Sequence, residues 1–416
     1  MTSTTKQKKE TAPKKKSAKD RQNCFFEFKN VDPAAEIALY FGFSPLATPL
    51  AVTKEDKERV KTLGETEKNR CSCPLLPVLE EKVALLRYYS DKKLNEAPQP
   101  VMLCAELGQG GIGTRKKVAE KHLSLEVIGS EKSIADATLI QTVVSILRSE
   151  GHKDLCVCIN SVGDKDSGNR FVRELTNHYR KNIASLPQTC KTTFKKNPVE
   201  LLECSHEKCK LLADEAPKPV GFLGEDSRHH FKEVLEYLEE LEIPYQLDPF
   251  LVGNRSFATE TVFEIRAVNG LELGEVLAMG CRYNQLGKRL GLKRETPSVG
   301  ATILLRRTKD KMPQTRFKFR KPSVFFLQLG FEAKLKSLKV IETLRQAKIP
   351  LYQALCRDKL ISQLTAAENL KIPYSIIMGQ REALENSVIV RNTSSRVQET
   401  VKIADLPAHF KRLKLA

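Results

Sequence analysis

No apolar run in this 416-residue chain approaches the ~18 to 20 residues needed to cross a bilayer, so a transmembrane helix is excluded and a soluble protein without membrane contact is expected. The N-terminus is rich in lysine but lacks the apolar stretch of a secretory signal, which points to the cytoplasm. No internal repeat is evident. Acidic residues are in deficit: 51 Asp and Glu against 69 Lys and Arg leave a net charge of +18. A basic surface gains free energy by releasing counterions from phosphates, so nucleic acid is the expected partner. The eleven cysteines are odd in number and scattered, which favours free thiols over a disulfide framework. None of their clusters completes a four-ligand zinc set. Cys71 and Cys73 are too short a pair alone, and Cys156 and Cys158 alternate with apolar residues as one face of a strand. Cys204, His206 and Cys209 come nearer to metal spacing but have no second pair behind them, so structural cysteines and no metal are expected.

The length implies more than one folding unit. Residues 1–22 hold many lysines and almost no apolar side chains, and should form a disordered basic arm. Globular patterning follows. Ala34 to Tyr40 reads as a short helix ended by Gly42, LATPL as a strand, and LEEKVALLRYY as a helix presenting Val83, Leu86 and Tyr89. The glycine-rich basic loop GQGGIGTRK at 108–116 is followed by the strand KHLSLEVIG rather than a helix. A hairpin tip explains it better than a phosphate cradle.

Ser133 and Asp136 suggest a capping box opening a helix striped by Ile134, Ala137, Ile140, Val144 and Leu147. The strand LCVCIN leads to a helix from about Arg170, then to a helical region broken at Pro198 and Pro217, and to a helix from near His230. After IPYQLDP comes LVGNRSFATETVFE, from Leu251 to Glu264. There Gly253 and Asn254 form a turn and the β-branched run Thr259 to Phe263 a strand. EVLAMGCRYNQLGKRLG reads as strand, glycine turn and short helix. Residues 306–321 are a basic linker with interleaved Phe317 and Phe319 that could meet RNA by charge and stacking. Beyond Pro322, strands and helices alternate through a compact unit with a small mixed sheet.

These segments, in this order, resemble histidyl-tRNA synthetase over most of residues 23–416. YFGFSPLATPL is similar to the first class II motif, with Pro49 in place. KLNEAPQPVMLCAEL and LEVIGSEKSIADATLI resemble the strands and helix around the second motif, and the last hundred residues resemble the anticodon-binding domain. The resemblance implies an α/β protein. Residues 23–305 would form a class II synthetase-type antiparallel sheet with flanking helices and a helical insertion at about 165–235, and residues 322–416 an α/β anticodon-binding-like domain. It also implies a homodimer, contact with tRNA or other structured RNA, and, where ligase activity survives, ATP with Mg2+.

Residue by residue, the resemblance assigns Glu126 and Glu80 to histidine binding, with His122 where glutamine is usual. It matches Arg282 and Tyr283 to a pocket turn and places Arg306 or Arg307 at the ATP-contacting arginine of the third motif. Other positions depart from the family. Arg115 is the one candidate for the second-motif arginine, Lys82 stands for a threonine, and Leu304 for a glycine. The signature arginine that bridges histidine and phosphate is Gly253 here, with Arg255 two residues on, and a recognition tyrosine is Ala258. Losing one fixed cation at a developing phosphate charge costs about two to three powers of ten in rate. The expectation is therefore a synthetase-like protein with a degenerate active site, acting as an RNA-binding or regulatory protein. A divergent active ligase using Arg255 is the alternative. A regulatory subunit of ATP phosphoribosyltransferase is disfavoured by the additional C-terminal domain.

Overall fold

Segments that alternate between two faces supply the strands. In chain order they are β1 (Phe25–Lys29), β2 (Ser44–Pro45), β3 (Val101–Leu107), β4 (Val118–Ile128), β5 (Leu155–Ser161), β6 (Tyr245–Leu247), β7 (Thr259–Asn269), β8 (Glu272–Arg282), β9 (Ser298–Thr308) and β10 (Arg316–Arg320). This computed structural model describes residues 25–29, 32–63, 79–107, 118–308 and 316–415. The basic arm, Cys71, Cys73, Arg115 with the whole of its glycine-rich loop, and the middle of the basic stretch lie outside those residues.

Eight strands form one sheet in the order β2-β3-β4-β9-β8-β7-β5-β6. It is antiparallel from β3 through β5, and the edge pairings β2–β3 and β5–β6 are parallel. One face packs Leu123, Leu125, Val299, Ala301 and Ile303 against the helix Ser133–Ser149. That helix is buried from Ser133 to Leu147, not along one stripe alone. The helix Glu225–Glu240 lies beside it, and the C-terminal domain also covers it, with Gln141 Nε2 donating to the Leu338 carbonyl at 3.1 Å. The Ser133–Asp136 capping box does not form. Lys132 is the N-cap, the Ser133 hydroxyl donates to Glu233 at 2.5 Å, and Asp136 is turned to Arg282.

Other boundaries differ for local reasons. The helix expected from about Arg170 begins at Lys165, because the Asp164 side chain accepts from the Ser167 N–H at 2.8 Å. The helix expected from near His230 begins at Glu225, with Glu225 and Asp226 in a first turn that favours negative charge. LATPL forms no strand: the two-residue strand Ser44–Pro45 precedes it, and Leu50 makes only an isolated bridge to Leu107. Gly280 lies inside β8 and makes no turn. The Phe263 ring presses on it so closely that a Cβ would sit 2.3 Å from Phe263 Cζ.

Between β5 and β6 the helices Lys165–Lys181, Gln188–Lys196 and Glu207–Asp214 build an insert with its own core, including Phe171, Leu175, Tyr179 and Leu201. The C-terminal unit carries β11 (Val324–Gln328), β12 (Leu351–Gln353), β13 (Tyr374–Met378), β14 (Ser387–Asn392) and β15 (Gln398–Lys402). Their order is β12-β11-β13-β14-β15, parallel across the first three and antiparallel beyond. It docks on the large sheet's layer through Gln353 Nε2, which donates to the Phe41 carbonyl at 2.9 Å, and through the rings of Tyr237 and Phe331. The basic stretch is strand at both described ends: β9 runs to Thr308, and β10 pairs with β1. Phe319 is buried edge-on to Tyr40 and is not available to stack on a base.

Candidate amino-acid pocket

On β4 the alternation of side chains puts His122, Ser124 and Glu126 on the face away from the helix Ser133–Ser149. Register across the sheet continues that face through Leu304, Thr302 and Gly300 of β9, Met279 and Cys281 of β8, and Val262 of β7. The helix Leu79–Asp91 and the loop after Leu251 cover it, joined by the apolar contacts of Leu79, Val83, Leu86, Phe257 and Val262.

Beneath this cover, Glu126 is fully buried and completely engaged. Lys82 Nζ forms an ion pair with Oε1, the Tyr283 hydroxyl donates to Oε2, and the Ser124 hydroxyl donates to Oε1 at 2.7 Å. Lys82 is itself 1% exposed and lies 5.2 Å from the centre of the Tyr283 ring. Gly300 makes room for the carboxylate, since a Cβ there would fall 1.7 Å from Glu126 Oε2. Burial first, and the Glu126 anion second, push the Tyr283 phenol well above its ordinary pKa, so it remains a donor. Burial also pushes the neighbouring Glu81 up to about 7, against the pull of Lys82. The space left between loop and sheet, walled by Gly253, Asn254, Phe257, Val262 and Cys281, is about 10 Å³, room for roughly one water.

The other residues singled out from the sequence lie outside this buried cluster. Arg282 stands on the opposite face, where it is wholly buried and forks onto Asp136 with distances of 2.6 to 3.0 Å. Its remaining N–H groups reach the Ser130 and Lys132 carbonyls. His122 is half-buried between Leu107 and Leu304 in the register. Glu80 is half-buried at the start of its helix. Arg306 is exposed and paired with Glu275 at 2.6 Å, and Arg307 lies on β9 opposite Ala119.

Arg255 projects elsewhere. It lines a cleft of about 520 Å³ together with Gly163, Lys165, Thr259 and Arg289, and Glu126, Lys82 and Tyr283 are not among its walls. Crowding by those walls lowers the Arg255 pKa, but the side chain is exposed and keeps its charge. Among the described residues it makes no side-chain hydrogen bond or ion pair. The loop that carries it turns as its composition suggests. Gly253 has φ +61°, and the Phe257 and Ala258 N–H groups return to the Asn254 carbonyl. A Cβ on Gly253 would lie 2.9 Å from Val262 Cγ1, so a side chain at the position where the resemblance has arginine would be strained and would force Val262 or the loop to shift.

Ser124, Glu81 and Asp136 were not singled out for this chemistry by sequence. For Ser124 a signal existed, because it lies two residues before Glu126 on a strand. In the helical insert the structure brings Cys190 to Cys204 and Cys209, whereas His206 is exposed at the N-cap of its helix.

The antiparallel sheet with its covered acid, joined to a small mixed-sheet domain, defines a class II synthetase-type protein. Residues 323–413 match the family described as Anticodon binding domain. The histidine–tRNA ligase of Caldicellulosiruptor saccharolyticus is 31% identical over 296 residues, 70% of each chain. That of Listeria innocua is 29% identical over 339 residues, 77% of each. The solved apo histidyl-tRNA synthetase of S. aureus aligns with a TM-score of 0.48 at 24% identity, over 91% of this chain and 93% of that one. The chain belongs to the histidyl-tRNA synthetase family.

Proposed function

We propose that this chain retains the synthetase scaffold as a homodimeric, tRNA-binding or regulatory protein of the cytoplasm and does not activate histidine. The observation that carries this reading is the buried cluster of Lys82, Glu126, Tyr283 and Ser124. The acid that the resemblance gives to histidine has an internal cation and two internal donors, so an incoming ammonium or imidazole would have to displace a desolvated ion pair. The described residues also fit an ATP–magnesium complex poorly. Gly253 supplies no cation, and Arg306 is paired with Glu275 at the surface. Net charge of +18 and the anticodon-binding domain support an RNA partner.

One observation favours a second reading, a divergent histidine–tRNA ligase. Arg255 is exposed in a cleft large enough for a ligand, beside Lys165 and Arg289. Histidine-dependent ATP–pyrophosphate exchange, run alongside tRNA binding, separates the two. The first reading expects binding without exchange, and the second expects exchange that Arg255→Ala abolishes.

A further inference from the structure

Three thiols converge in the helical insert from separate elements. Cys190 comes from the helix Gln188–Lys196, Cys204 from the end of the turn Pro198–Glu203, and Cys209 from the helix Glu207–Asp214. Their Sγ atoms all lie within 4.8 Å of one another, and Cys190 and Cys204 are 3.6 Å apart. A tetrahedral centre with Zn–S bonds of about 2.3 Å spaces its sulfurs by about 3.8 Å, so the trio needs only small adjustments to hold one ion. The remaining described cysteines do not gather in this way among the described residues.

A second observation points to the same place. Tyr179 is fully buried beside this cluster, in the electrostatic reach of Cys209 and Cys204, and among the described residues its hydroxyl has no hydrogen-bond partner. A buried hydroxyl left unpaired is costly, and a metal-bound thiolate is an acceptor well suited to it. Cys190 and Cys209 are buried while Cys204 is half-buried, which gives an ion a way in and leaves a fourth position towards solvent. The insert has its own core, separate from that of the large sheet, and a metal staple adds to the stability of such a small unit.

We propose that Cys190, Cys204 and Cys209 form a thiolate site for a thiophilic divalent ion, Zn2+, which fastens these three elements together. Each ligating thiol releases its proton to solvent as it binds. The site is independent of the amino-acid pocket and stands whether or not histidine is activated.

The test uses the reduced, metal-free full chain titrated anaerobically with Co2+. One equivalent should produce a thiolate-to-cobalt charge-transfer absorbance and tetrahedral d–d bands, both erased by one equivalent of Zn2+. Cys190→Ser and Cys209→Ser should each weaken Zn2+ binding by more than the roughly tenfold to hundredfold that loss of an outer-shell partner costs, while Cys156→Ser leaves it unchanged. Circular dichroism of the variants checks that they fold, and the wild-type titration stands without them. Absence of the charge-transfer band in the wild type overturns the proposal, as does its persistence in both variants. A Cys190–Cys204 disulfide with no metal uptake by the reduced chain also overturns it.

Discussion

Replacing Lys82 by methionine tests the buried cluster directly. Lys82 and Glu126 are 1% and 0% exposed, so neither charge is solvated, and methionine keeps most of the side chain's volume while removing its charge. Two unit charges about 4 Å apart attract by about 4 kcal/mol at an effective dielectric near 20, and a closer contact by somewhat more. Removing one partner of a buried pair costs about 3 to 5 kcal/mol, because the other charge stays behind unpaired. The hydroxyls of Ser124 and Tyr283 still donate to the stranded carboxylate, which places Lys82→Met at the lower half of that range. Urea unfolding at neutral pH should show the midpoint falling with an unchanged m-value. The double variant Lys82→Met/Glu126→Leu should recover most of the loss, since an apolar replacement of a buried pair is often close to neutral. A loss below about 1 kcal/mol, the size of a surface pair, would refute the claim that this is a desolvated, structurally committed ion pair.

Further outcomes follow from other sites. Burial raises the Asp136 pKa, but Arg282 and His230 outweigh it and hold the carboxyl at about 2, below the ordinary 3.8. A depressed carboxyl contributes stability above its unfolded pKa and loses it as pH falls through the folded one. About 2 kcal/mol should therefore disappear between roughly pH 4 and pH 2, and Asp136→Asn should flatten that part of the stability profile. Restoring the family's arginine by Gly253→Arg should cost about 1 to 3 kcal/mol in urea unfolding, from the left-handed backbone and the contact with Val262, and should not create exchange activity. Binding of tRNA by the full chain should weaken steeply with salt, about 0.7 to 0.9 in the log–log slope per phosphate neutralised, and a salt-independent affinity would count against an RNA role.

Much of the scaffold was legible because its signals are local. Alternation defined β4 and β7, and helical spacing of Val83, Leu86 and Tyr89 defined the helix that covers the pocket. Boundaries slipped where one side chain decides them, as Asp164 does for the helix beginning at Lys165. Ser133 and Asp136 look like a cap in sequence, but Arg282, 146 residues away, claims Asp136. The same limit applies to the pocket. Glu126 and Tyr283 could be named from family motifs, and Lys82 could be noticed as out of place. That Lys82 reaches Glu126 depends on how a helix crosses a sheet, the two being 44 positions apart. Which face Arg282 points to follows from register, which no local pattern states.

The most direct measurement of the central claim is histidine-dependent ATP–pyrophosphate exchange by the purified full chain with magnesium, compared with the same protein lacking histidine. The account predicts no exchange above that background while tRNA is still bound. Exchange that requires histidine and disappears in Arg255→Ala would contradict it, and would move the chemistry from the covered face of Glu126 to the cleft beside Arg255.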